Sequence, residues 1–254
     1  NKKRALAKTN LTVVAPGQWL MELAKASPVF PPQTRFETIH YGLDAERYFP
    51  LKKVAAKREL GCLDDRITLV FGAADLNVPR KGIGPLIKAL HQVPDPDRYR
   101  CLVFGGGNFQ DSRFKSLSQK MEIRNLGFLK TVEEKRLVYS AADLFLLPSL
   151  EDNQPQTGLE SLACGTPVVG FDTGGISEFV QQGTTGLLAK VDDAASLAKQ
   201  IVWLAQRSDL QTEFGLNGRD LILREFELKK QTRKYLQLYD DLTVENYEFM
   251  RDAS

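Results

Sequence analysis

"DLFLLPSLEDNQPQTGLESLACGTPVVGF", residues 143–171, sets two short apolar runs on either side of an amphipathic stretch. The runs at 143–148 and 167–171 have strand length, and 157–163 has helical spacing, with Gly and Pro as punctuation. Strand, helix and strand in that order make a parallel βαβ unit with a right-handed crossover. Working outward, strand-length runs recur at 11–15, 36–40, 67–72, 101–105 and 185–189, and helical stretches fall at 18–26, 84–91, 132–142 and 194–206. Apolar strands alternating with helices predict an α/β fold: a Rossmann-like parallel sheet with helices on both faces.

The 254 residues are 43% hydrophobic, enough for one large core or two modest ones. A net charge of +2 gives a weak overall field and argues against nucleic acid as a partner. No apolar run reaches the roughly 20 residues that cross a bilayer, so no transmembrane segment is expected. The N-terminus has no signal-peptide core. Cys62, Cys101 and Cys164 lack C-x-x-C spacing and read as reduced residues, the last two as small core side chains, in a cytoplasmic protein. With His40 in a linker and His91 at a predicted helix end, no metal site is expected. The Walker, H-E-x-x-H and G-x-S-x-G motifs are missing. "HYGLDAERYFP" (40–50) reads as a linker. It divides the chain into 1–42, a main α/β unit at 43–225, and a charged helical tail at 226–254 that lies along a surface or bridges two units.

In an open parallel sheet, ligands bind beyond the carboxyl ends of the strands. After 67–72 comes "AADLNVPRKGIG", with Arg80 and Lys81 just before a helix that starts near Gly82. Exposed cations there cost about 0.3–1 kcal/mol against the helix dipole. A bound phosphate would reverse the sign, since charge-assisted hydrogen bonds contribute about 1.5–3 kcal/mol each. The plain alternative is a solvated basic turn. After 101–105 comes "GGGNFQ". Gly105 and its neighbours allow close backbone approach, but Gln110 stands where a dinucleotide fingerprint needs glycine. After 143–148 come Glu151 and Asp152, and then Thr157-x-x-Glu160, which fits a capping box with Thr157 as N-cap. That would make Glu160 purely structural. Yet free amides at the same helix start suit an anion, and carboxylates accept from sugar hydroxyls. Hydroxyls beside an anion describe a nucleotide or sugar phosphate, so both readings of Glu160 stand. After 167–171, Gly174 and Gly175 form a tight turn and Gly183 ends a helix. Asp172 and Glu178 are turn and surface residues, and "DPD" at 95–97 is a loop.

Residues 138–188, "VYSAADLFLLPSLEDNQPQTGLESLACGTPVVGFDTGGISEFVQQGTTGLL", resemble the donor-nucleotide domain of retaining GT-B glycosyltransferases, the glycosyl transferases group 1 of family-4 type. "IHYGLDAERYFP" resembles that family's linker, I-P-N-G-[VI]-D-x-x-x-F-x-P, and "FGAADLNVPRKGIGPLIKAL" is similar to its phosphate-binding segment. The likeness runs from about residue 10 to about residue 225. It implies transfer of a sugar from a nucleotide-sugar donor to an acceptor hydroxyl, with retention, without a metal, and with no cofactor beyond the nucleotide-sugar co-substrate. The acid pair of the family, E-x7-E, falls on Asp152 and Glu160. Glu160 would hold the ribose hydroxyls, and Asp152, or else Glu151, the sugar ring. Lys81 matches the lysine that neutralises the diphosphate. The usual arginine position, near Ala73 or Ala74, is alanine, which makes Arg80 the substitute. Loop amides would come from Asn153, Gln154, Gln156 and Thr157. The base would lie near "RNLGFL" (124–129), around Leu126, with Gly105 also in contact with the donor. The resemblance further implies a missing N-terminal domain, of which 1–42 is a remnant with its linker. The chain would then be a donor-binding fragment, inactive alone. The acceptor would be a glycan or lipid-linked sugar of polysaccharide biosynthesis, met in the cytoplasm or peripherally at the inner membrane face. Two rivals remain: a non-catalytic nucleotide-sugar-binding sensor or partner subunit, and a sugar-nucleotide epimerase of similar fold.

Overall fold

A computed structural model describes residues 2–7, 9–107 and 112–252, with the side chains of 112–113 and 245–252 left aside. The chain begins with α1 (Lys2–Leu6), β1 (Thr12–Ala15), α2 (Gln18–Ala26) and β2 (Arg35–Thr38), and β1 and β2 pair in parallel. After the linker come α3 (Lys53–Glu59), β3 (Ile67–Asp75), α4 (Ile83–Leu90), β4 (Tyr99–Gly106) and α5 (Ser112–Leu117). Then follow β5 (Glu122–Gly127), α6 (Val132–Ala141), β6 (Leu144–Leu147), α7 (Gln156–Ala163) and β7 (Val168–Phe171). The last elements are β8 (Gly186–Ala189), α8 (Ala194–Ala205), α9 (Ser208–Glu225) and α10 (Leu228–Asp252).

Among the described residues, β3 to β8 form one parallel sheet in the order β5-β4-β3-β6-β7-β8. The order reverses between β3 and β6, which opens a crevice at the carboxyl ends of those strands. Both faces of the sheet are covered. Leu69, Phe71, Leu144 and Leu146 pack on one side with Leu86, Leu90 and Ile201. Val70, Phe145 and Leu147 pack on the other with Tyr139, Leu159 and Ile222. Burial on both faces is why these strands read as unbroken apolar runs. Strand β5, "EIRNLG", carries no such run. It is an edge strand fixed by its ladder to β4 and by charges. Arg100, almost wholly buried on β4, pairs with Glu122 at 2.8 Å and with Asp64 at 2.6 Å. The hydrogen bond from Arg100 holds the Asp64 carboxyl down at about 2.

The chain returns across the linker. Leu43 donates to the carbonyl of Phe226 at 2.7 Å, and Leu228 donates to the carbonyl of Leu43 at 3.0 Å. From there α10 runs back over β2, where Asp241 pairs with Arg35 at 3.2 Å and Leu238 is buried. Arg219 on α9 donates to the carbonyls of Ala45, Tyr48 and Ala163, which fastens the linker to the end of α7.

Two expectations are corrected. The segment before Gly183 is not a helix; it holds a single 3-10 turn, Ile176–Glu178. Glu178 is not a bystander at the surface. Its carboxylate accepts from the backbone N–H groups of Gln18 and Trp19, both at 3.0 Å, and so caps α2 from the other unit. The three cysteines are free; Cys101 and Cys164 are buried as expected, Cys62 is buried as well, and burial pushes the Cys101 thiol up to about 12. No helix among the described residues is long and apolar enough to cross a membrane.

Candidate functional site

After β3 the chain forms a 3-10 turn, Pro79–Lys81, and then Gly82, with φ of 74°, caps α4. A Cβ on Gly82 would lie 1.7 Å from the carbonyl oxygen of Pro148, so only glycine lets this turn approach the loop after β6. Leu150 donates to the carbonyl of Arg80 at 2.8 Å and ties the two segments together. The turn and the loop thereby bring the predicted cations onto the predicted acid. Lys81 Nζ is 2.5 Å from Asp152 Oδ2, and Arg80 Nη1 is 3.2 Å from the same oxygen. Arg80 also donates to the carbonyl of Glu151 at 3.4 Å, while the side chain of Glu151 is exposed. Two cations on one carboxylate leave a net positive charge.

The loop itself is braced from three sides. Thr173 donates to Leu150 at 3.0 Å and Gly175 to Asp152 at 3.1 Å. The Gln154 side chain bridges the N–H and C=O of Tyr41, both at 3.0 Å, so it holds the linker. The Asn153 amide donates to Asp152 Oδ1 at 3.1 Å, and its side-chain atoms have no partner among the described residues.

Helix α7 starts at Gln156 with Pro155 as N-cap and has no side-chain cap. Of the two readings left open for Glu160, the capping box is therefore not formed: Thr157 is already inside the helix, and Glu160 is buried. The capping box in this region lies instead at α6, between Thr131 and Glu134. Glu160 is 5% exposed. Its Oε1 accepts from the Tyr48 hydroxyl at 2.7 Å and from Lys135 Nζ at 3.0 Å, and its Oε2 accepts from the Tyr139 hydroxyl at 2.7 Å. Burial, and next the adjacent carboxylate, push both phenols far above their ordinary range, so they stay protonated and donate. The same two causes push up the Cys164 thiol.

Glu160 lines a cavity of about 170 Å³ beyond the ends of β3 and β4. Lys135, Gln156 and Thr157 complete its polar wall, and Ala73, Ala74, Phe104, Phe128 and Leu129 supply the apolar one, with Gly105 between. The alanines at 73 and 74 face this space. Leu126 does not; it packs against the core from β5, and Phe128 and Leu129 take the place expected of it. Beneath the cavity, Phe104 crosses over Gly72, where a Cβ would fall 2.1 Å from the ring, and meets Tyr139 edge-on at 5.7 Å. Positions 108–111, including Gln110, lie outside the described residues.

Tyr48, Tyr139 and Lys135 escaped the sequence reading. The one local signal was the spacing of Lys135 and Tyr139, four residues apart on one face of α6. What the arrangement offers is a small apolar recess with a buried, donor-supported carboxylate, near a cationic turn and the Gln156 and Thr157 amides at the start of α7.

Residues 66–207 match the family model described as "Glycosyl transferases group 1". The chain is 32% identical over 195 residues to a D-inositol 3-phosphate glycosyltransferase of Mycobacterium sp. (strain KMS), which covers 74% of this chain and 42% of that protein. The chain spans about half the length of the curated relatives it matches. Sucrose-phosphate synthase from Thermosynechococcus elongatus shares the fold with a TM-score of 0.81 at 25% identity, over 96% of this chain and 61% of that one. Anabaena HepE, solved in complex with UDP-glucose, shares it with a TM-score of 0.77 at 19% identity, over 94% and 67% respectively.

Proposed function

The chain belongs to the glycosyl transferases group 1 family, and we propose that it binds the donor in a retaining, metal-independent transfer of a sugar from a nucleotide-sugar to an acceptor hydroxyl. One observation carries the reading: a buried carboxylate, Glu160, opens into a recess beyond the strand ends, with the Lys81 and Arg80 turn nearby. A carboxylate has about four lone-pair sites. Three are used by Tyr48, Lys135 and Tyr139, which leaves acceptor capacity for a ribose hydroxyl.

The chemistry follows from where charge develops. As the bond from sugar to phosphate breaks, positive charge grows on the sugar and negative charge on the diphosphate. Lys81, Arg80 and the first-turn amides of Gln156 and Thr157 take up the negative charge. In this reading the diphosphate displaces Asp152 from Lys81 and Arg80, and Asp152 turns to the hydroxyls of the sugar ring. Glu151 and Asn153 flank that position. No cofactor beyond the nucleotide-sugar takes part. Residues 43–225 bind the donor, 1–42 belong with the acceptor-side half, and 226–254 tie the two. The acceptor is a glycan or lipid-linked sugar of polysaccharide biosynthesis, met in the cytoplasm or at the inner membrane face.

Calorimetric titration with UDP, GDP and ADP, each with and without an attached sugar, tests this. Saturable binding of one nucleoside diphosphate and of its sugar conjugate is expected. Absence of binding across the panel overturns the reading. Binding without nucleotide release, by a longer protein supplied with acceptors, favours a sensor or partner subunit instead.

A further inference from the structure

We propose that Lys135 is a specificity residue that reads the vicinal diol of the donor's ribose jointly with Glu160; this rests on the cavity being a nucleoside site. The two oxygens of Glu160 are loaded unequally. Oε1 accepts from both Tyr48 and Lys135, whereas Oε2 accepts from Tyr139 alone. With about two lone-pair sites per oxygen, room for one further donor remains, at Oε2. A ribose presents two neighbouring hydroxyls, so the carboxylate as it stands satisfies one of them.

Lys135 supplies the other half. An ammonium has three N–H donors and no acceptor. One N–H is spent on Glu160, and the side chain has no second hydrogen-bond partner among the described residues. Nζ lies 3.0 Å from Oε1, and both residues line the same cavity. The wall therefore offers an acceptor and a donor side by side. A vicinal diol is the matching ligand: one hydroxyl donates to Oε2, and its neighbour accepts from Nζ. A ligand with a single hydroxyl uses half of this pair. Lys135 is also held for the task. The Thr131–Glu134 capping box fixes the start of α6, and Tyr139, four residues on, is anchored to the same carboxylate. The lysine side chain is 29% exposed, so a ligand entering the cavity reaches it.

The test compares the nucleoside diphosphate that binds best in the panel above with its 2′-deoxy and 3′-deoxy analogues. Each is titrated into the whole chain and into Lys135→Met and Lys135→Arg at one ionic strength. For the unaltered chain, loss of either hydroxyl weakens binding roughly tenfold, the scale of one hydrogen bond to a charged group. Lys135→Met binds the ribonucleotide roughly tenfold more weakly and loses discrimination at one hydroxyl while keeping it at the other. Lys135→Arg restores part of the lost ratio. Should Lys135→Met fail to fold, Lys135→Gln, a neutral donor, is read by the same two ratios. Both ratios unchanged in the variant, with or without a uniform loss of affinity, overturn the proposal and leave the nucleoside site standing. No binding by the unaltered chain removes the site and the proposal together.

Discussion

The hydroxyl of Tyr48 lies 2.7 Å from Oε1 of Glu160, so a linker residue completes the shell of a carboxylate 112 positions away. Tyr48→Phe removes a neutral donor from a buried charge, and such bonds contribute about 1.5–3 kcal/mol. The backbone stays in place because Arg219 grips the carbonyl of Tyr48. For a chain of this size about 1 kcal/mol shifts the melting temperature by about 2–4 °C. A fall of several degrees is expected by calorimetry, and an unchanged midpoint would show that the bond contributes nothing.

Two buried-side acids separate binding from scaffolding. Glu160→Ala is expected to weaken nucleoside diphosphate binding by about tenfold or more, since it removes the charged acceptor. Glu178→Ala leaves the N–H groups of Gln18 and Trp19 without their cap, which costs about 1 kcal/mol of stability and little affinity. Side-by-side titration and melting of the two variants checks this. Equal losses of affinity would remove the special place given to Glu160.

Asp152 occupies the two cations that the proposed donor site assigns to the diphosphate. Asp152→Asn frees Lys81 and Arg80 of their carboxylate partner. The expected outcome is an equal or higher affinity for the bare nucleoside diphosphate and a lower preference for the sugar-bearing donor. Lys81→Ala shifts the other way, with weaker binding of both and a shallower dependence on salt. Titrations at two ionic strengths read all four numbers.

The ion pairs at the sheet edge predict a pH dependence with a definite sign. The hydrogen bond from Arg100 lowers the Asp64 carboxyl from 3.8 to about 2 in the folded chain. A lowered carboxylate stabilises the fold above its unfolded value, and that contribution fades as pH falls from about 4 through about 2. Asp64→Asn should therefore melt earlier than the unaltered chain at pH 6, with the gap narrowing toward pH 3. A gap that stays constant over that range would rule out the linkage.

What could be read from the chain was what is local. Strands β3, β4, β6, β7 and β8 announce themselves because both faces are buried along a largely apolar run. Strand β5 does not, because Arg124 and Glu122 on it work through partners on other elements. Arg80 and Lys81 could be picked out as an odd pair of cations before a helix. Their partner Asp152, 71 residues on from Lys81, came only with the fold. Glu160 was ambiguous for a physical reason: a capping acid and a ligand-binding acid both sit in the first turns of a helix. Pro155 resolves it. Its ψ of 119° is extended, so α7 begins only at Gln156, Thr157 is not the cap, and Glu160 is left to line the cavity. Tyr48 was silent because its role depends on a contact no spacing rule describes.

Gly72 sits in the interior of β3, and the ring that fills its missing side chain is Phe104, which floors the recess and abuts Tyr139. Enlarging residue 72 by one methyl group lifts that ring, and the disturbance passes through Tyr139 to the carboxylate of Glu160. The side chain tolerated at position 72 is thus limited by the Phe104 ring rather than by sheet-forming tendency. A chain in which residue 72 had grown would be expected to carry a smaller side chain at 104, a paired change that keeps the floor of the recess and the carboxylate two layers away in place.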